Sequence, residues 1–210
     1  MKKKVLFVSN VTAGLVSFRY ELIKILVESC EVIIMASDNG RLDKLTDLGC
    51  KFIPTEFDRH GTNPLKEFEL IKLYKKLIKG VNPDIVFTYT IKPNIYAGMA
   101  CASLNIPYVA NITGLGTALE NPGIMQKATS FLYKKGLKKA QKVYFQNSAN
   151  RDFMLQRGIV KKNYDLLPGS GVNLDKFKLL DYPNKDTVDF LFISRVMKEK
   201  GADQYLEAAE

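Results

Sequence analysis

The chain has 210 residues, 46% of them apolar and only 8 of them Pro, which excludes a disordered polymer and leaves room for one full domain and part of a second. Its formal charge is +9; residues 189–210 hold three basic and five acidic side chains, which leaves +11 on residues 1–188. So basic a first part calls for an anionic partner, whether nucleic acid, anionic lipid or a phosphorylated substrate.

The chain opens on a strand, Lys4–Ser9, whose short apolar core after three Lys does not make a signal peptide. Helical spacing follows over Phe18–Glu28, with Ser17 as the expected N-cap. Strands are then expected at Val32–Ala36 and Lys51–Ile53, with a short helix at Leu42–Leu48 between them. Leu65–Lys79 is an amphipathic helix, Asp84–Thr88 a strand, Ile95–Ser103 a helix and Pro107–Asn111 a strand. Met125–Ala140 is a long helix, followed by strand Lys142–Gln146, helix Ala149–Gln156 and strand Tyr164–Leu167. This β-α alternation predicts an α/β fold: a Rossmann-like, doubly wound parallel sheet with helices on both faces. Asn173–Asp186 turns rich in Asp, Lys, Pro and Asn and reads as a linker. Residues 1–172 are thus expected to form a first domain, 173–187 the linker, and 188–210 the first strand and helix of a second. No apolar run approaches 18 residues, so no membrane span is expected. Cys30, Cys50 and Cys101 lack any paired spacing and read as reduced thiols of a cytoplasmic protein.

The last stretch carries the strongest chemical signal. Asp189–Ile193 reads as a buried strand, and Ser194 to Gly201 as the loop at its carboxyl end, with Arg195 and Lys200 five residues apart beside a helix start. Two cations there suit a diphosphate, Arg through a flat fork of donors and Lys as a mobile point charge. Arg-x4-Lys-Gly after an apolar strand resembles the donor-binding loop of family 4 glycosyltransferases, which have the GT-B fold. The resemblance extends from Val5 to Gly201, with Ser194 where the family has Gly. It implies a retaining transferase that moves a sugar from a nucleotide-diphosphate sugar to a lipid-linked acceptor of the undecaprenyl-diphosphate type. It also implies a donor domain that continues beyond Glu210, so the chain reads as a fragment, inactive alone, whose unpaired final strand invites association of two copies.

Other residues acquire expected roles through the same resemblance. Gly14, in the loop after the first strand, would let the backbone approach the donor. Arg19 is either an acceptor-phosphate residue or a helix-surface ion pair. Lys92 and Asn94 follow the fourth strand, and Thr113, Gly114 and Gly116 the fifth; these are expected to line the cleft. Pro168 to Asn173 resembles the turn that leads out of the family's first domain. His60, the single histidine, lies in a polar loop and is either a surface residue or a base or phosphate ligand. The chain contains no Asp-x-Asp, which agrees with a metal-independent enzyme needing no cofactor. Two rival readings remain: a nucleotide-sugar 2-epimerase of similar architecture, and a non-catalytic module for an anionic polymer. For the second, no nucleic-acid recognition motif is visible. Finally, Lys127, Lys134, Lys135, Lys138, Lys139 and Lys142 share a helical face with Phe131, and Lys72, Lys75, Lys76 and Lys79 share one with Phe68. Met125, Leu132, Tyr133, Leu137 and Ala140 are expected on the opposite, core side. Lys faces with an inset aromatic suit an anionic membrane surface, here the inner face of the plasma membrane.

Overall fold

Val5, Leu6, Phe7 and Val8 are all buried, as an unbroken apolar run must be when a strand is covered on both faces. They lie in β1 (Lys3–Val11), central to a seven-stranded parallel sheet with β2 (Cys30–Ser37), β3 (Lys51–Pro54), β4 (Ile85–Tyr89), β5 (Tyr108–Ile112), β6 (Lys142–Phe145) and β7 (Tyr164–Leu166). The spatial order is β3-β2-β1-β4-β5-β6-β7. The computed structural model describes every residue except 1, 56–63, 185, 195, 197–199 and 210.

Successive side chains of β1 point to opposite faces. Val5 and Phe7 pack with Leu15 of α1 (Thr12–Phe18), Ile23 of α2 (Tyr20–Ser29) and Leu45 of α3 (Asp43–Thr46). Leu6 and Val8 join Leu70, Tyr74 and Ile78 of α4 (Pro64–Val81) in the other layer. That layer also takes Cys101 of α5 (Gly98–Leu104), Tyr133 and Leu137 of α7 (Ile124–Leu137), and Met154 of α8 (Ser148–Gln156). A short helix, α6 (Thr117–Glu120), follows β5. Each large apolar side chain so enclosed contributes about 1.5–3 kcal/mol relative to exposure.

Before α5 the chain makes one π-helical turn, Pro93–Ala97, entered through Asn94 N donating to Thr90 O at 3.1 Å. Helix α7 lies directly against it. A Cβ added at Gly136 would stand 2.6 Å from Ile95 Cα, so only hydrogen fits there, and the Gly136 carbonyl accepts from the buried Tyr108 hydroxyl at 2.6 Å.

Residues 1–173 form one unit and 174–210 another. In the second unit, α9 (Ala202–Glu207) forms as expected, but residues 189–193 are not a strand. Phe190, Leu191 and Ile193 are exposed. The physical reason is pairing: a strand is defined by its ladder, and no other strand exists among the described residues of 174–210. Instead Phe192 stacks on Tyr205 at 5.1 Å, and the Tyr205 hydroxyl donates to Phe190 O at 2.9 Å.

The first helix also begins earlier than its spacing suggests. Strand β1 runs to Val11 and α1 starts at Thr12, so Ser17 lies inside a helix and caps nothing. Met125 is half exposed and does not face the core; it sits in the first turn of α7, beyond the helix's buried contacts at Thr129, Tyr133 and Leu137.

Candidate functional site

The chain leaves β1 for one face of the sheet and β4 for the other, although the two strands are neighbours. That divergence opens a crevice at their carboxyl ends, the usual ligand position in an open parallel sheet.

On the β1 side the start of α1 is already occupied. Asn39, in the loop after β2, accepts from Ala13 N at 2.9 Å and from the Thr12 hydroxyl at 2.8 Å. Burial works against ionisation of the neighbouring Asp38. The Thr12 hydroxyl and the amides of Gly40, Arg41 and Leu42 outweigh it and hold the carboxyl below its ordinary value. Gly14 lies in the first turn of α1, with open space where a Cβ would be.

Arg19, between α1 and α2, is the notable charge. It is only 9% exposed and, among the described residues, takes part in no ion pair. Its Nη1 donates to Phe18 O at 2.6 Å and to Ser170 Oγ at 2.8 Å. The guanidinium lies 5.0 Å above the ring of Tyr89, which stacks on Phe7 at 6.0 Å. Burial pushes the Tyr89 phenol above its ordinary value, and the adjacent Arg19 charge pulls partly back. Gln146, just past β6, donates to the same Ser170 oxygen at 3.1 Å. Asn173 Nδ2 donates to Glu21 Oε1 at 2.7 Å, so the last residues of the first unit are tied down on this side.

On the β4 side the backbone is strained. Thr90 has φ of +71°, a left-handed conformation that a β-branched residue rarely adopts. It starts a short segment that delivers Lys92 and Asn94 to quite different duties. Lys92 Nζ pairs with Glu67 of α4 at 2.7 Å, with both side chains nearly buried. Burial, reinforced by the Glu67 charge, pushes the phenols of Tyr74 and Tyr96 well above their ordinary range. Asn94 is 1% exposed: its Oδ1 accepts from the Thr88 hydroxyl at 2.7 Å and its Nδ2 donates to Asn111 O at 2.9 Å. It therefore clamps the carboxyl ends of β4 and β5 together and does not reach solvent.

In the loop after β5, Thr113 and Gly114 are exposed and Leu115 is buried. Gly116 has φ of +72°, and a Cβ there would stand 2.7 Å from Ile91 Cδ1, so the β4 and β5 loops touch through it.

Arg19, Gly14, Thr113, Gly114 and Gly116 thus gather on the carboxyl side of one sheet, with Lys92 and Asn94 behind them. Lys200 is exposed in the second unit. His60 and Arg195 lie outside the described residues. Glu67, Tyr89 and Gln146 were not singled out by sequence, and Thr90 and Ser170 entered only as members of the loop after the fourth strand and of the Pro168 to Asn173 turn. Only Ser170, between two glycines, carried a local signal; the others are ordinary residues until the fold places them. No group of three or more His, Cys, Asp or Glu able to hold a metal occurs among the described residues. Nor is any helix of theirs long and apolar enough to cross a membrane.

Comparison with known proteins agrees with this geometry. The chain is 29% identical over 223 residues to the N,N'-diacetylbacillosaminyl-diphospho-undecaprenol alpha-1,3-N-acetylgalactosaminyltransferase of Campylobacter jejuni subsp. jejuni serotype O:2, covering 97% of this chain and 59% of that protein. A glycosyltransferase from Rickettsia africae superposes with a TM-score of 0.62 at 21% identity, covering 84% of this chain and 45% of the other. The UDP-GlcNAc 2-epimerase of Neisseria meningitidis bound to UDP-GlcNAc shares the fold with a TM-score of 0.54 at 18% identity, covering 78% and 45%. The chain thus spans about half the length of these relatives. A family profile described as glycosyl transferase 4-like matches residues 4–147, from the first strand through the cap of α8, and with both sides of the crevice inside that match the chain belongs to the glycosyl transferase 4-like family.

Proposed function

We propose that this chain supplies the acceptor-side domain of a retaining glycosyltransferase. The enzyme moves a sugar from a nucleotide-diphosphate donor to an acceptor built on an undecaprenyl-diphosphate-type lipid, as in capsule, exopolysaccharide or O-antigen synthesis. The observation that carries the reading is Arg19, a nearly buried guanidinium at the carboxyl end of the sheet with no carboxylate beside it among the described residues. A buried cation without a counter-charge is costly, and a bound phosphate removes the cost. The name of the Campylobacter relative, a transferase acting on a diphospho-undecaprenol, supports the same acceptor class.

In this reading Arg19 holds the acceptor phosphate, while the exposed Thr113 and Gly114 and the tight Gly116 shape the cleft floor. Lys92 and Asn94 keep that floor in place from behind. Gly14 leaves space for the donor. Arg195 and Lys200 open the donor domain, from residue 188 after a linker at 173–187, and neutralise charge on the leaving diphosphate. Fixed charges aimed at a developing anion usually supply the largest share of such catalysis. The reaction needs no metal for this step, because the two cations do the neutralising.

The basic helices fit a peripheral position on the inner face of the plasma membrane. Lys72, Lys75, Lys76 and Lys79 of α4 and Lys127, Lys134 and Lys135 of α7 are exposed, as are Phe68 and Phe131. Lys72 lies over Phe68 at 4.5 Å and Lys135 over Phe131 at 5.3 Å. Both helices cover the same face of the sheet.

The full-length enzyme tests the proposal. Arg195→Ala and Lys200→Ala should each lower turnover on the order of 10²-fold, with release of nucleoside diphosphate as the readout. Wild-type rates from both variants would refute the donor assignment. An epimerase rests on fold likeness alone, and it would interconvert the sugar without handing it to a lipid acceptor.

A further inference from the structure

Ser170 is held in an unusual way. Gly169 and Gly171 on either side have φ of +80° and +77°, and apart from their own chain neighbours nothing lies within 4 Å of either Cβ position. The strap they form lies on the surface without packing, and its hydroxyl dips inward to Arg19 and Gln146. Both contacts point the same way: the Ser170 oxygen accepts from Arg19 Nη1 at 2.8 Å and from Gln146 Nε2 at 3.1 Å. One oxygen receiving two N–H donors, one of them cationic, above an aromatic floor, occupies the position a phosphoryl oxygen would prefer.

We propose that Arg19 and Gln146 form a seat for one phosphoryl oxygen of the lipid-linked acceptor's diphosphate, and that the Ser170 hydroxyl is its resident stand-in, displaced when the acceptor binds. The seat rests on the reading of Arg19 as an acceptor-phosphate residue; Gln146 and the displaceable strap are additional to it. A charged oxygen makes the same two hydrogen bonds more strongly than a neutral hydroxyl, which drives the exchange. Because residues 168–171 are all exposed, the strap can lift without uncovering core. Acceptor binding therefore also releases residues 168–171 from the first unit.

Binding of geranyl diphosphate, inorganic pyrophosphate and UDP to the 210-residue chain, followed by calorimetry, separates the possibilities. Ser170→Ala removes the competitor and should tighten geranyl diphosphate about three- to tenfold, whereas Gln146→Ala should weaken it by a similar factor. Arg19→Gln should weaken it at least about tenfold. A merely structural Ser170 would lower the melting temperature without improving affinity, so unchanged or weaker binding by Ser170→Ala, repeated with Ser170→Gly, overturns the stand-in. Unchanged binding by Gln146→Ala overturns the seat. Either result alongside a damaged Arg19→Gln leaves the Arg19 reading standing. No effect of Arg19→Gln, or no binding of any probe at millimolar concentration, overturns both. Tightening seen with UDP alone transfers the seat to the donor and overturns the acceptor assignment; tightening with pyrophosphate as well as geranyl diphosphate supports a seat that reads the headgroup.

Discussion

Asn94 and Thr90 stand four residues apart and show how differently single residues serve this crevice. Asn94 spends its side chain bridging Thr88 and Asn111, so Asn94→Ala should cost about 1–3 kcal/mol of stability in urea unfolding, the price of orphaned buried partners. Thr90 is the reverse case. Its left-handed backbone works against folding, and Thr90→Gly should raise stability by about 1 kcal/mol in the same measurement. A loss on Thr90→Gly would mean that its hydroxyl, which donates to the Tyr89 carbonyl, outweighs the strain. Neither role was legible in sequence. Asn94 looks like any polar loop residue until β4 and β5 are paired, and a threonine carries no mark of positive φ.

Among the elements, the sheet was largely legible because its signals are local. Apolar runs such as Val5–Val8 and Val32–Ala36 are buried on both faces, and the spacing of Leu70, Tyr74 and Ile78 declares α4. Two elements were misread for the same reason, the need for a partner elsewhere in the chain. The start of α1 is capped by Asn39 from another loop, so Ser17 was a plausible cap in the wrong place. Residues 189–193 have strand composition but no ladder among the described residues. The contact of α7 with the π-helical turn is likewise invisible in sequence, since Gly136 looks like a weak point inside a helix. The structure makes it the point of closest approach, so Gly136→Ala should destabilise the first unit by about 1–3 kcal/mol or more. An exposed glycine would instead gain stability from Ala. Urea unfolding decides the sign.

At the scale of the whole molecule, charge and burial make two separate predictions. Anionic vesicles should carry the protein upward in flotation at low salt. Lys134, Lys135, Lys138 and Lys139 changed together to Glu should abolish this, each Lys near an anionic leaflet contributing about 1 kcal/mol. Undetectable flotation, or flotation unchanged in the Glu variant, would rule out this face. The second prediction concerns the thiols. Burial pushes Cys50 up to about 11 and Cys101 up to about 12, so both are protonated at pH 8, while Cys30 is half-buried. Iodoacetamide at pH 8 should modify Cys30 first and leave the other two until the protein unfolds. Because the fold favours the neutral thiols, their stabilising contribution is complete below about 9 and declines as pH rises towards 11 and 12.

The adjacency of β1 and β4 also sets the order in which this protein can assemble. Strands β1, β2 and β3 neighbour one another in sequence, but the central pair joins Val5 to Ile85. A clip beside it has Lys4 N donating to Asp84 Oδ2 at 2.7 Å across 80 residues of chain, and Asp84 N donating back to Lys4 O at 3.0 Å. That loop must close before either helical layer can span the middle of the sheet, and non-local closure is slow. Asp84→Ala should therefore slow refolding more than it speeds unfolding if the clip forms at the transition state, a ratio that stopped-flow fluorescence of the tyrosines can read. Until it closes, β1 and β4 each expose a long unpaired edge, and during that interval the chain is most open to pairing with a neighbour instead of with itself.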